Sequence, residues 1–205
     1  MTRLNNKLNW PNIETVMLDM DGTLLDLHFD THFWQNLVPE RYALSRGLDI
    51  ITAKQLLTQK FKQSEGTLDW YCIDYWTKHL KLDIALLKEE IAELITLKPH
   101  AEEFLANLRK LNARVILVTN AHQKSLALKL KKTRLDAYLD AVVCAHELGH
   151  PKEETRFWIK LQEYESYNPP STLLIDDNLT ALRAARRYGI HHLLAVRRPS
   201  SKAPP

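Results

Sequence analysis

The stretch Thr15-Val16-Met17-Leu18-Asp19-Met20-Asp21-Gly22-Thr23 decides the fold. Its short apolar run is continuous rather than alternating, as suits a strand buried on both faces. Gly22 and Thr23 suit a turn and a helix start after it. Asp19 and Asp21 therefore stand at the carboxyl end of a central strand, where open α/β sheets bind ligands. Two carboxylates sharing a cleft raise the pKa of one of them, as a proton-transferring acid requires. The plainer reading leaves one Asp in the turn and the other solvated.

Other strand ends weigh against the plainer reading. Similar runs occur at 114–118, 141–144, 172–175 and 192–196, and helical periodicity fills 101–111, 122–132, 153–165 and 179–188. Strand alternating with helix predicts an α/β fold on a parallel sheet. Pro99 and Pro151 suit the first turns of helices, and Gly189 a left-handed C-terminal cap. The second strand finishes in Thr119-Asn120 and the fourth in Asp176-Asp177-Asn178. For these groups to meet Asp19, the first strand must lie between them, which predicts the order 3-2-1-4-5 with right-handed crossovers.

Residues 30–97 differ, with helical patterning throughout and no convincing strand. Helices are expected over 31–46, 52–64, 68–80 and 83–97; Gly47 and Gly66 separate the first three, and Thr52 with Gln55 matches a capping box. Such a block is too long for a crossover connection. The expected organisation is a discontinuous α/β core, 1–29 and 98–205, carrying a helical domain at 30–97. No internal repeat is visible, and the Ser- and Pro-containing tail 197–205 is expected to be loosely attached.

Composition narrows the function classes. A chain of 205 residues suits one core, with or without an insertion. Its 45% hydrophobic and 26% charged content is that of a folded, soluble protein. The net charge is only +3, and Lys129, Lys131, Lys132, Arg134, Arg183, Arg186 and Arg187 have the spacing of a solvated helix face, which argues against a nucleic-acid partner. Cys72 and Cys144 lie far apart in apolar stretches, as buried free thiols of a reducing, cytoplasmic protein would. Residues 1–10 are polar and no apolar run reaches the roughly 18 residues of a membrane span, so neither export nor a membrane partner is expected. Cys144, His146 and His150 have zinc-like spacing but no evident fourth ligand.

The chemistry of the strand ends is that of a hard cation and an anion. Asp19, Asp176 and the main-chain carbonyl of Asp21 would make a partial shell for Mg²⁺, which prefers such oxygens. Lys152 is expected to open the helix after the third strand, where its ammonium and the helix N-terminus would both attract phosphate.

Asp19-Met20-Asp21-Gly22-Thr23, Thr119, Lys152 and Asp176-Asp177, in that order, resemble the four motifs of the haloacid dehalogenase-like (HAD) hydrolase superfamily, and the match spans 13–196. The resemblance implies a Rossmann-like core with an inserted helical cap. It implies Asp19 as nucleophile and Asp21 as general acid–base, with Thr119, the adjacent Asn120 and Lys152 as phosphate ligands. Asp19, Asp21 and Asp176 would hold Mg²⁺, and Asp177 would orient the metal shell or Lys152. Asp19 would then take the phosphoryl group as an aspartyl phosphate, Asp21 would protonate the leaving alkoxide, and Asp21 would later activate water. The superfamily's dehalogenases are not expected to carry the second aspartate, so Asp21 favours phosphoryl chemistry.

A narrower resemblance rests on Met17 to Leu27, Phe33-Trp34-Gln35, Leu37-Val38-Pro39-Glu40, Trp70-Tyr71-Cys72, Asp74-Tyr75-Trp76, Thr119-Asn120-Ala121-His122 and Gly149-His150-Pro151-Lys152-Glu153. These are similar to bacterial purine 5′-nucleotidases acting on GMP and IMP, which carry a longer C-terminal tail. The resemblance implies a small phosphorylated metabolite, a purine nucleoside monophosphate, as substrate, with specificity residing in 30–97. Aromatic residues such as Trp70 either stack on a base or build the core of the helical insertion. His122 either meets the leaving group or caps the helix it begins. A sugar-phosphate phosphatase or phosphomutase on the same core is the competing enzyme reading, and a non-catalytic phosphometabolite-binding protein the reading of another class.

Overall fold

The computed structural model describes residues 8–202. Its five strands are β1 (Thr15–Leu18), β2 (Arg114–Thr119), β3 (Ala141–Cys144), β4 (Thr172–Asp176) and β5 (His192–Ala195). They form one sheet in the order β3-β2-β1-β4-β5. Every pairing is parallel, with β1 held between β2 and β4, as the sequence predicts.

Both faces of that sheet are covered, which is why its strands carry no polar alternation. Val16, Leu18, Val115 and Leu117 pack to one side with Leu105 and Leu126, while Met17, Ile116 and Val118 pack to the other with Phe157, Trp158 and Leu161. Successive side chains of a strand point to opposite faces, so β1 feeds both layers. No helix among the described residues is long and apolar enough to cross a membrane.

The helices are α1 (His28–His32), α2 (Val38–Arg46), α3 (Ile50–Ser64), α4 (Leu68–Tyr71), α5 (Ile73–Leu80), α6 (Ile84–Glu90), α7 (Ala101–Lys110), α8 (Gln123–Thr133), α9 (Ala145–Leu148), α10 (Thr155–Tyr164) and α11 (Leu179–Tyr188). From α2 to α6 they gather around a separate core of Phe33, Leu57, Trp76, Leu80 and Ile84, whereas Phe29 of α1 packs into the core under the sheet.

Local details of this helical cluster depart from the sequence reading. A wide π-turn over Phe33–Leu37 joins α1 to α2, so the first helical run begins earlier than predicted and is not a uniform α-helix. Asp49, not Thr52, caps α3: its Oδ1 accepts the amides of Ile51 at 3.0 Å and Thr52 at 2.9 Å. The helix expected over 68–80 breaks at Cys72, whose extended backbone starts a new turn. The last helix ends at Glu90 and gives way to the three-residue turn Ala92–Leu94.

Two further expectations are corrected. Pro99 and Pro151 lie ahead of the N-caps of α7 and α10, His100 and Glu154, rather than in their first turns. The tail is held down as far as it is described: the Pro199 carbonyl accepts the Leu27 amide at 3.0 Å, and the Asp26 carboxylate accepts the Ser201 amide at 3.1 Å. A buried carboxylate needs such donors, and the tail supplies one. Residues 203–205 of that segment lie outside the described residues.

Candidate active site

The carboxyl ends of β1, β2 and β4 open on one cavity of about 380 Å³. Asp19, Asp21, Thr119, Asn120, Lys152, Asp176 and Asp177 all line it, so every site residue predicted from the sequence reaches the same space.

Asp19 leaves the sheet directly after β1, its amide still bound to the Ile175 carbonyl at 3.0 Å. The chain then closes a tight turn in which the Leu24 and Leu25 amides return to the Met20 carbonyl. Gly22 occupies that turn with φ +89°, and a Cβ there would sit 2.5 Å from Asp177 Oδ2. Gly22→Ala should therefore cost about 1–3 kcal/mol of stability through backbone strain and displace Asp177; urea unfolding checks it.

Lys152 sits at the centre of the carboxylates, only 2% exposed. Its Nζ donates to Asp19 Oδ1 at 2.5 Å and to Asp176 Oδ2 at 2.7 Å. It does not open a helix, because β3 is followed by short α9 and a turn, and α10 starts only at Thr155. Its backbone is fixed by side chains instead: its amide donates to Asn120 Oδ1 at 2.9 Å, and its carbonyl accepts Trp158 Nε1 at 2.8 Å.

Asn120 is committed at both ends of its amide, since Nδ2 donates to Glu153 Oε2 at 2.9 Å. Glu153 also accepts Asn178 Nδ2 at 2.7 Å and the Tyr71 hydroxyl at 2.6 Å, tying α4 of the helical cluster to the sheet. Thr119 Oγ1 accepts the Ala121 amide at 3.0 Å, leaving its hydroxyl proton available to the cavity. His122 takes the capping role, its Nδ1 accepting the Lys124 amide at the start of α8.

Carboxylate oxygens of Asp19, Asp176 and Asp177 converge to within 4.8 Å of one another. Among the described residues no other such group of potential metal ligands occurs, so Cys144, His146 and His150 form none. Asp19 Oδ2 is buried with no donor. Burial pushes the Asp19 carboxyl well above its usual range; Lys152 lowers it, but Asp176, Asp177 and Asp21 raise it again. Asp177 rises to about 6, through burial and then Asp176. Burial alone would lower the Lys152 ammonium, yet Asp176 and Asp19 hold it above its usual value. These directions agree: one ammonium cannot neutralise so many carboxylates, and the arrangement is short of positive charge.

The Asp21 side chain is not one of that trio. Its Oδ1 accepts Lys129 Nζ at 2.6 Å, and Lys129 also donates to Asp30. The expectation that Lys129 belongs to a solvated face is thus wrong; it is 1% exposed. Its position on α8 follows buried Ser125 and Leu126 by four and three residues, so it falls on the inward stripe. That periodicity is the signal that could have found it. Glu153, Tyr71, Asp30 and Lys88 were also missed, and Trp34, Phe61 and Trp70 add an aromatic wall to the cavity.

The model of the haloacid dehalogenase-like hydrolase family matches residues 13–189. A GMP/IMP nucleotidase of Escherichia coli is 42% identical over 192 residues, covering 94% of this chain and 86% of that protein. The structure of a HAD phosphatase from Thermococcus onnurineus superposes with a TM-score of 0.77 at 22% identity, over 87% of this chain and 84% of that one. A putative β-phosphoglucomutase from Thermotoga maritima gives a TM-score of 0.64 at 20% identity, over 89% and 85% of the two chains.

Proposed function

The chain belongs to the haloacid dehalogenase-like hydrolase family, and from that premise we propose that it is a Mg²⁺-dependent phosphatase that releases phosphate from GMP and IMP. The observation that carries the chemistry is Asp19: buried at the strand end, held by Lys152 through one oxygen, with the other meeting no donor.

The trio of Asp19, Asp176 and Asp177 fits a hard divalent cation, because its oxygens converge, one is orphaned and Lys152 alone does not balance three carboxylates. Those three side chains, with the main-chain carbonyl of Asp21, would hold Mg²⁺. When bound, the cation supplies Lewis-acid stabilisation of phosphoryl oxygens.

This chain's own residues do the rest. Lys152 orients Asp19 and offsets its repulsion with an anionic phosphate. Thr119 and the main chain of Asn120 receive the phosphoryl oxygens, while Asn120 and Trp158 keep the Lys152 segment in place. Asp19 attacks phosphorus, the bond to the leaving oxygen breaks, and Asp21 protonates that oxygen. Asp21, now a carboxylate, takes a proton from the water that hydrolyses the aspartyl phosphate.

Two observations support a purine nucleotide. The relative with 42% identity is a GMP/IMP nucleotidase, and Trp34, Phe61 and Trp70 share the cavity with Asp19. The helices at 30–97 act as a cap that supplies this wall to the leaving group. Base stacking on one aromatic ring contributes about 1–3 kcal/mol, so Trp70→Ala should raise the KM for GMP about tenfold and leave kcat nearly unchanged. Both cysteines are free, in keeping with a reducing cytoplasm. A panel of phosphate esters with Mg²⁺ tests the reading: GMP and IMP should lead, and preference for a sugar phosphate would overturn it in favour of the competing phosphatase.

A further inference from the structure

Beside the site, four charged side chains link the sheet layer to the helical cluster. Lys129 donates to Asp21 Oδ1 at 2.6 Å and to Asp30 Oδ2 at 2.6 Å. Lys88, on α6, donates to the other oxygen of Asp30, also at 2.6 Å. Two ammonium groups thus face two carboxylates, and both lysines are buried. The Phe29 ring lies 5.3 Å from Lys129 Nζ, and the Phe33 ring 4.5 Å from Lys88 Nζ. Burying ammonium groups costs several kcal/mol unless they are paired, and the two carboxylates provide that pairing.

The phosphatase steps described above do not require Lys129, yet it holds one oxygen of the acid–base. Asp21 Oδ2 accepts from no described residue and remains open to the cavity wall that Asp21 forms. We propose that Lys129 is a positioning residue for Asp21: by holding Oδ1 it turns Oδ2 toward the leaving-group oxygen, and Asp30 with Lys88 keys that placement to the helical cluster. The inference rests on the phosphatase reading. In the step it serves, the P–O bond breaks and its electron pair passes to the leaving oxygen, which takes the proton from Asp21 Oδ2. The carboxylate so formed stays paired with Lys129 until water returns a proton to it.

A lysine that only balanced charge for folding would alter stability and not the dependence on leaving group. The test is kcat/KM for GMP and for p-nitrophenyl phosphate, with saturating Mg²⁺, because this ratio covers the steps through departure of the leaving group. A ribose alkoxide needs a proton to leave, whereas nitrophenolate does not. Lys129→Met keeps the side-chain length and leaves the Lys88–Asp30 pair intact, so only Asp21 loses its one ammonium partner among the described residues. It should lower kcat/KM about 10²-fold for GMP and less than about tenfold for the nitrophenyl ester. Lys129→Arg should restore part of the GMP turnover. If Lys129→Met fails to fold, Lys129→Gln carries the same requirement. Equal losses on both esters, or no loss on either, overturn the inference while leaving the phosphatase reading intact. Asp19→Asn must abolish both activities; if it does not, the phosphatase reading falls and this inference with it.

Discussion

Asp19→Asn should lower kcat at least about 10⁴-fold, the order seen when a covalent nucleophile is removed, while the protein stays folded. The geometry separates the two effects. Lys152 keeps Asp176 at 2.7 Å in the variant, so no buried ammonium is orphaned. Burial already raises the Asp19 carboxyl pKa, which means its ionised form opposes folding at neutral pH. Removing that charge should leave the unfolding midpoint unchanged or higher. A variant that is both inactive and unfolded would contradict this reading, and so would one that keeps its turnover.

Lys152→Met should fail in the opposite way. It removes the only cation within hydrogen-bond distance of Asp19 and Asp176 among the described residues, leaving two buried carboxylates without a counter-charge. Breaking a buried pair from one side costs about 3–5 kcal/mol, and losing a preorganised donor at the reacting group costs about 10²–10³ in kcat. Mg²⁺ should raise the variant's unfolding midpoint more than the parent's, because a bound cation supplies the missing charge and binds only the folded state. Thermal unfolding with and without Mg²⁺ measures this. A stability loss that the cation does not reduce would show that the carboxylates are not its site.

The sheet was legible because its signal is local and redundant. Each strand is a short apolar run, and the polar residues closing β1, β2 and β4 make sense only if those strands are neighbours. Asp19, Thr119 and Asp176 could be placed at one cavity for that reason. The means by which Lys152 is placed could not: the sequence suggested a helix N-terminus, but the structure uses the Asn120 amide and the Trp158 indole, contacts between residues far apart in the chain.

Charge was the least legible feature. Lys129 stands among other basic residues, and lysine is seldom buried. Only its partners Asp21 and Asp30, distant in sequence, make the buried position tolerable. Glu153 was hidden in the same way, since its meaning comes from Tyr71, Asn120 and Asn178 meeting around it. In the helical cluster the pattern gave the helices but not their interruptions. The π-turn that carries Trp34 and the break at Cys72 depend on how the aromatic core packs, with Trp34, Phe61, Trp70 and Trp76 meeting edge to face.

Asp19 should carry the phosphoryl group during turnover, and trapping that aspartyl phosphate decides the matter. The protein would be quenched in acid during turnover of GMP with Mg²⁺, its acyl phosphates reduced with borohydride, and its peptides mapped by mass spectrometry. The Asp19 side chain should be reduced to the corresponding alcohol, dependent on GMP and absent in Asp19→Asn. Phosphate release with Asp19 never modified, or reduction at another carboxylate instead, would contradict it.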